Sequence, residues 1–200
     1  MAQPVAIPLP ARALLRAPAA SAPGELLLRA VRPADGDALQ TYVRNLASQS
    51  RYNRFFGAAA ELPPTELARA IGANDRDRLT LLLTSLQGDE ETIIGEARVA
   101  LSCEAREGEF GMSLADDFRG RGLGSVLLGL IEDRAAADGI ETLFGDTLVT
   151  NESMIGLARA RGFRLSQGLE ARTVRMTKQL ARVAPDLPCR KWSVGLSLVS

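Results

Sequence analysis

Alternating strand-like and helix-like runs between residues 25 and 180 predict a mixed α/β domain. The strand-like runs are rich in Val, Ile, Thr and Leu, and the longest helix-like run starts directly after a loop of alternating glycines, Phe118-Arg-Gly-Arg-Gly-Leu-Gly-Ser125. A length of 200 residues with 46% hydrophobic content suits one domain with a sizeable core.

Taken in order, Glu25 to Val31 reads as a strand, and Arg32-Pro33-Ala34-Asp35 then turns into a helix from about Asp35 to Leu46. Ser48 to Phe56 is a polar-aromatic segment, and Pro64 to Ile71 reads as a short helix capped by Thr65 or the residues before it. Thr80 to Leu86 and Thr92 to Ser102, separated by Gln87-Gly-Asp-Glu-Glu91, predict a β-hairpin. Glu107-Gly108 is expected as a second turn and Glu109 to Leu114 as the next strand. After the glycine loop, Val126, Leu127, Leu130, Ile131 and Ala135 form an apolar stripe that packs one helix face on the sheet, with Gly139 as the stop. A strand from about Glu141 to Leu148, a helix from about Glu152 to Arg161 stopped by Gly162, and strands around Phe163 to Leu165 and Thr173 to Thr177 complete the pattern. There is no internal repeat.

The flanks differ in composition from this core. Residues 1–24 are rich in Ala and Pro, with Arg12 and Arg16 but no acidic residue before Glu25, and are expected to form a loose tail. Prolines at 4, 8, 10, 18 and 23 would interrupt a signal-peptide core or a transit-type helix. Residues 181–200 carry Trp192 and a final apolar run from Val194 to Val199, which is expected to be a tail, an added strand or a homodimer contact.

Bulk chemistry excludes several function classes. Basic and acidic residues balance at 24 each, so net charge argues for neither nucleic acid nor an anionic membrane as partner. No apolar run approaches the roughly 18 to 20 residues that span a bilayer. With no histidine, and with Cys103 and Cys189 far apart and outside any zinc spacing, a His/Cys metal site is not expected. The simplest setting is reducing and cytoplasmic.

The glycine loop is where the chemistry concentrates. Glycines let backbone approach a ligand without Cβ interference, and the amides opening a helix are unpaired donors at the positive end of its dipole. Two arginines at the same turn, Arg119 and Arg121, point to phosphate. A dinucleotide fingerprint needs G-x-G-x-x-G tight against the preceding strand, whereas these glycines fall at 120, 122 and 124 after the link Ala115-Asp-Asp-Phe-Arg119. A Walker A loop needs Lys-Ser/Thr after its last glycine, and Gly124 is followed by Ser125 and Val126. Three alternate glycines and two arginines exceed what a tight turn alone requires.

A strand, a polar link and Arg119-x-x-Gly122-x-Gly124 opening a helix resemble the acetyl-CoA-binding motif of the GNAT superfamily of N-acetyltransferases. Thr150-Asn-Glu-Ser-Met-Ile-Gly-Leu-Ala-Arg-Ala-Arg-Gly-Phe163 is similar to that family's Asn-initiated helix ending in Gly-Phe, and the element order from 25 to 180 matches its fold. Leu46 to Phe56 resembles, more weakly, the bacterial protein-lysine acetyltransferase branch. The resemblance implies a mostly antiparallel central sheet of about six or seven strands with helices on both faces. It also implies acetyl-CoA as acyl donor, with the pyrophosphate resting on amides from Arg121 through Leu123 and Gly124 to Ser125. Arg119, Gly120, Arg121, Gly122 and the Ser125 hydroxyl complete the cradle. Backbone atoms of Met112 and Leu114 would bond the pantetheine arm, with a β-bulge expected near Gly111 to Ser113, and Asn151 would cap its helix and contact the cofactor.

Acyl transfer to nitrogen requires a neutral amine. A lysine-like amine is neutral about once in several thousand molecules at pH 7, a handicap of roughly 4 to 5 kcal/mol, so a base or a desolvating pocket is valuable. Glu109 resembles in position the catalytic glutamate of the histone and bacterial lysine acetyltransferase branches, and Glu96 on the preceding strand is its rival. Water relay or desolvation is the alternative to both. Where many family members carry a tyrosine that protonates the departing thiolate, this chain has Ala158, so water is the expected acid. Cys103 lacks a histidine partner and is a poor nucleophile. The expected activity is direct acetyl transfer to a primary amine, from a small molecule or a protein lysine, without a covalent acyl-enzyme. A catalytically silent acyl-CoA-binding module is the alternative.

Overall fold

Strand runs of the predicted hairpin pair along nearly their whole length and set the frame. In the computed structural model, which describes residues 13–15, 25–57, 59–72, 78–102 and 104–180, β3 (Arg78–Gln87) and β4 (Glu90–Ser102) form the longest ladder. They turn over Gly88 and Asp89, with Gln87 opposite Glu90. Around them lie β1 (Ala13–Leu15), β2 (Glu25–Ala30), β5 (Glu107–Leu114), β6 (Thr142–Leu148), β7 (Arg164–Gln167) and β8 (Thr173–Gln179). The helices are α1 (Gly36–Asn45), α2 (Ser48–Phe55), α3 (Pro64–Ile71), α4 (Leu123–Ala137) and α5 (Glu152–Ala160). The sheet order is β1-β2-β3-β4-β5-β6-β8-β7, antiparallel throughout except for the β5/β6 pair. The mixed, mostly antiparallel sheet with helices on both faces is as the sequence predicts.

Both faces are covered, and the strands show it. Leu81, Leu82 and Leu83 are consecutive and all buried, because Leu81 and Leu83 pack under α4 while Leu82 joins Leu39, Tyr42 and Val43 of α1 on the opposite face. Ile94 and Ile93 divide the same way. Strand alternation thus distributes one leucine run between two cores.

The parallel pair decides where a site can form. Parallel neighbours cannot be joined by a tight turn, so the chain crosses through α4 between β5 and β6. Their pairing covers only Glu107↔Thr142, Gly108↔Leu143 and Glu109↔Phe144, although β5 continues to Leu114 and β6 to Leu148. Gly145 still touches β5, since a Cβ there would lie 2.7 Å from the Phe110 carbonyl oxygen. Beyond that step the strands part.

Several local expectations are corrected. Glu107 and Gly108 belong to β5 rather than to a turn, which falls instead at residues 104–106 with Arg106 at φ 52. Gly108 is small because a Cβ would press on Leu143, Leu101 and Val99 at 3.2 to 3.4 Å. The expected β5 bulge is absent, as β4 and β5 keep one register from Ser102↔Glu107 to Gly95↔Leu114. The irregularity lies one strand away, between Leu83 and Thr84 of β3, where Ile94 of β4 is the extra residue. Ser48–Phe55 is helical, and α3 has Pro63 at its cap with no side-chain hydrogen bond. Within the segment expected to be a tail, Ala13–Leu15 pair antiparallel with Leu26–Leu28 of β2. The C-terminal segment and both cysteines lie outside the described residues.

The stripe on α4 is also shifted. Leu123, Leu127, Leu128, Ile131 and Ala135 are buried, whereas Val126 is 39% exposed. Leu127→Ala should therefore destabilise the fold by about 2 to 5 kcal/mol, and Val126→Ala by no more than about 0.5 kcal/mol, in urea unfolding. Equal losses would refute this assignment of faces.

Candidate active site

After β5 a single 3-10 turn, Asp116–Phe118, leads into the glycine loop. Gly120 and Gly122 stand at φ +72 and +79, in the left-handed region where a side chain is strained, and a Cβ on either would meet nothing within 4 Å. The glycines are needed for their backbone angles, and the space around them is open. Gly122 caps α4, leaving the Leu123 and Gly124 amides without an intrahelical acceptor. The Ser125 amide, expected in the same cradle, donates instead to the Gly122 carbonyl at 3.0 Å. Gly124 has a second role, since a Cβ there would press on Leu157 of α5 at 3.2 Å. The Leu123 side chain is buried in the core, so this residue can offer a ligand only its backbone.

The two loop arginines are held locally. Arg119 donates to the Ser50 hydroxyl at 2.8 Å and pairs with Asp116 at 3.2 Å. Asp116 in turn accepts from the Ser50 hydroxyl and the Ala47 amide, which ties α2 to the loop. Arg121 donates to the Asp117 carbonyl at 2.8 Å and lies over the Phe118 ring, with its Nη1 buried and unpartnered.

A cavity of about 520 Å³ opens where β5 and β6 part, bounded by Phe110, Gly111 and Met112 on one side and Asp146 and Thr147 on the other. The Ala115 amide donates to Ile94, so by the two-residue alternation of an antiparallel ladder Ser113 and Gly111 bond β4. The main-chain groups of Met112 and Leu114 consequently face away from β4, toward the parting. Asn151 lines the same cavity. Its side chain accepts from the Met154 amide as the α5 cap and donates to the Thr147 hydroxyl at 2.8 Å.

Two rows of the sheet form the cavity's charged floor, and a third, buried row adjoins them. Register aligns Arg78, Ala100 and Glu109; then Thr80, Arg98 and Gly111; then Leu82, Glu96 and Ser113, all on the face beneath α1. Glu109 is exposed and lines the cavity. Glu96 is fully buried, its Oε1 accepting from Arg54 Nε at 2.7 Å and from the Ser113 hydroxyl at 3.3 Å, its Oε2 from Arg98 Nε at 2.5 Å. Burial alone would raise its pKa, but the charges and hydrogen bonds of Arg54 and Arg98 outweigh burial and hold it below the ordinary glutamate value. The Tyr42 hydroxyl meets Ser113 at 3.0 Å, and burial, with the Glu96 charge, pushes its pKa far up. Ala158 is completely buried, so nothing at that position reaches the cavity.

The sequence profile described as acetyltransferase (GNAT) domain spans residues 25–164. The chain belongs to the GNAT acetyltransferase family. It is 26% identical over 138 residues to an acetyltransferase of Pseudomonas aeruginosa, covering 69% of this chain and 74% of that one. Its fold is shared with the GNAT domain of S. lividans PAT, at TM-score 0.70 and 24% identity over 78% of this chain and 92% of that chain. The spermidine N-acetyltransferase of Vibrio cholerae, solved with CoA and spermine, superposes at TM-score 0.63 with 16% identity over 78% of this chain and 96% of its own. The protein is thus an acetyl-CoA-dependent N-acetyltransferase that moves an acyl group to an amine.

In this GNAT enzyme the structure brings Met112, Asn151 and Glu109 to one cavity. Leu114 lies two residues further along β5 and beside the glycine loop, where a Cβ on Gly124 would lie 3.7 Å from its Cδ1, while Glu96 lies beneath the floor with both oxygens engaged. Sequence reasoning missed Arg54, Arg98, Ser113 and Asp116. Only Arg98 had a legible signal, two residues after Glu96 on one strand and hence on the same face.

Glu96→Gln should destabilise the fold by about 3 kcal/mol, because two arginines lose their shared carboxylate. Its folded pKa is lowered, so the stabilisation is complete above the unfolded value near ~4.3 and disappears as pH falls through the folded value. In urea unfolding the gap between parent and variant should be full at neutral pH and shrink steadily in acid. A gap independent of pH would contradict the ion-pair origin.

Proposed function

We propose that the enzyme transfers acetyl directly from acetyl-CoA to a primary amine in a ternary complex, with Glu109 as the proton acceptor. The observation carrying this reading is an exposed carboxylate on the cavity floor at the last registered pair of β5 and β6, beside the main-chain edge left open by their parting. Glu96, with both oxygens engaged, serves instead to hold Arg54 and Arg98.

The residues present fit the donor. The Leu123 and Gly124 amides at the α4 N-terminus, beside the open space around Gly120 and Gly122, suit a pyrophosphate, and Arg119 and Arg121 add charge. Main-chain groups of Met112 and Leu114 would bond the pantetheine arm as an added strand does, with Asn151 across the cleft. Bound acetyl-CoA supplies an activated thioester. Glu109 takes the proton from the acceptor ammonium so that the neutral amine attacks the thioester carbonyl. The coenzyme A thiol, with a pKa of about 8.5 for a simple thiol, is acidic enough to leave as thiolate and take its proton from water. The acceptor is an amine of a small molecule or of a protein lysine.

Glu109→Gln should lower kcat at neutral pH by about 100-fold or more while leaving acetyl-CoA affinity within about threefold, measured by thiol release and isothermal titration. Unchanged turnover would remove Glu109 from this role. Acetyl-CoA binding with no thiol release to any amine would favour a silent acyl-CoA-binding module.

A further inference from the structure

We propose that the acceptor amine belongs to an amino-acid-like molecule whose carboxylate binds Arg54 and Arg98. This rests on the transferase reading and narrows its acceptor. Arg54 and Arg98 each spend Nε on the same carboxylate, that of Glu96. Their four Nη atoms find no acceptor among the described residues, and Arg98 Nη2 is buried without a partner. A guanidinium offers its donors in a planar fork that matches a carboxylate, so two forks anchored at their Nε ends form a receptor with its open side unmet.

Charge balance points the same way. Of the four carboxylates lining this cavity, Glu61 pairs with Arg44, Glu66 with Arg69 and Asp146 with Arg175, while Glu109 is the one assigned to the acceptor amine. Arg54 and Arg98 instead share one glutamate, leaving the triad with one net positive charge beside the cavity they line. The site is also built for this position. A Cβ on Gly111 would lie 2.7 Å from Arg54 Nη1, so only glycine lets the guanidinium rest on the strand. Arg98 sits opposite Gly111, and Glu109 is two residues along the same face. Diagonal neighbours of this kind lie about 7 to 8 Å apart at the backbone, within reach of one molecule carrying an amine and a carboxylate a few bonds apart.

The test compares free acids with their amides. The full chain, saturated with CoA, is titrated calorimetrically with α-amino acids, 4-aminobutyrate and 5-aminovalerate and with the amide of each, and thiol release from acetyl-CoA is measured on the same panel. At least one free acid should bind and react about tenfold better than its amide, the size of one charge-assisted hydrogen bond. Arg98→Lys, which keeps a positive charge for Glu96 but removes the fork, and Arg54→Gln should cut that preference below about threefold. Acetyl-CoA affinity of each variant reports that it has folded, and if neither folds the acid-to-amide ratio of the parent still decides. Equal use of acid and amide, no binding of either, a preference that survives both substitutions, or faster acetylation of lysine peptides lacking a free carboxylate would overturn the proposal. So would faster use of succinyl-CoA than acetyl-CoA without any acid preference, which would assign the arginines to the acyl group. Acid-selective binding lost in Arg98→Lys, but without turnover, would support the carboxylate site and sink the transferase reading.

Discussion

Three registered pairs between β5 and β6 are the constraint from which the rest of the site follows. Because these strands are parallel, the chain must cross between them through α4, and the start of that helix necessarily lies near the end of β5. A helix start carries unpaired amides, and the end of a strand that has lost its neighbour carries unpaired ladder groups. The single topological choice therefore puts anion donors at Leu123 and Gly124 beside an open main-chain edge at Met112 and Leu114. Antiparallel pairing at this point would have permitted a tight turn and left no helix end to use.

A second constraint comes from beneath the floor. Glu96 is buried completely, a position that would be untenable for an isolated carboxylate, and it is tolerated because Arg54 from α2 and Arg98 from β4 meet both oxygens. Through these contacts and the Ser50 and Asp116 hydrogen bonds, α2 is fastened to the sheet and to the glycine loop at once. One segment thus forms the roof of the cavity and supports the cradle. The two arginines leave their terminal nitrogens unspent, and that is why the same node serves stability and suggests a preference for the acceptor.

Much of this architecture was readable in the chain. Gly120 and Gly122 announce a backbone that no side chain would favour, and both adopt it. Asn151 before an apolar run announces a capped helix, and it caps α5. Failures cluster where a residue's reason is tertiary. Gly108 looked like a turn and is instead a close contact with Leu143. Val126 fitted the helical period but faces outward, because the groove that receives α4 admits Leu128. Ser48–Phe55 offered mostly polar residues whose helical faces are set by Glu96 and Asp116, partners 42 to 66 positions away.

By itself the sequence determined the element order apart from β1 and α2, the glycine loop with its R-x-x-G-x-G spacing, and from these the family and the acyl donor, since local backbone angles and helix ends are written in adjacent residues. Only the tertiary structure decided the surroundings of the two glutamates. Glu109 and Glu96 are both strand carboxylates in similar surroundings along the chain, but one faces a cleft opened by strand parting and the other is enclosed between two arginines. Solvent access and charge pairing are set by what lies across the sheet, and neither is encoded in neighbouring positions.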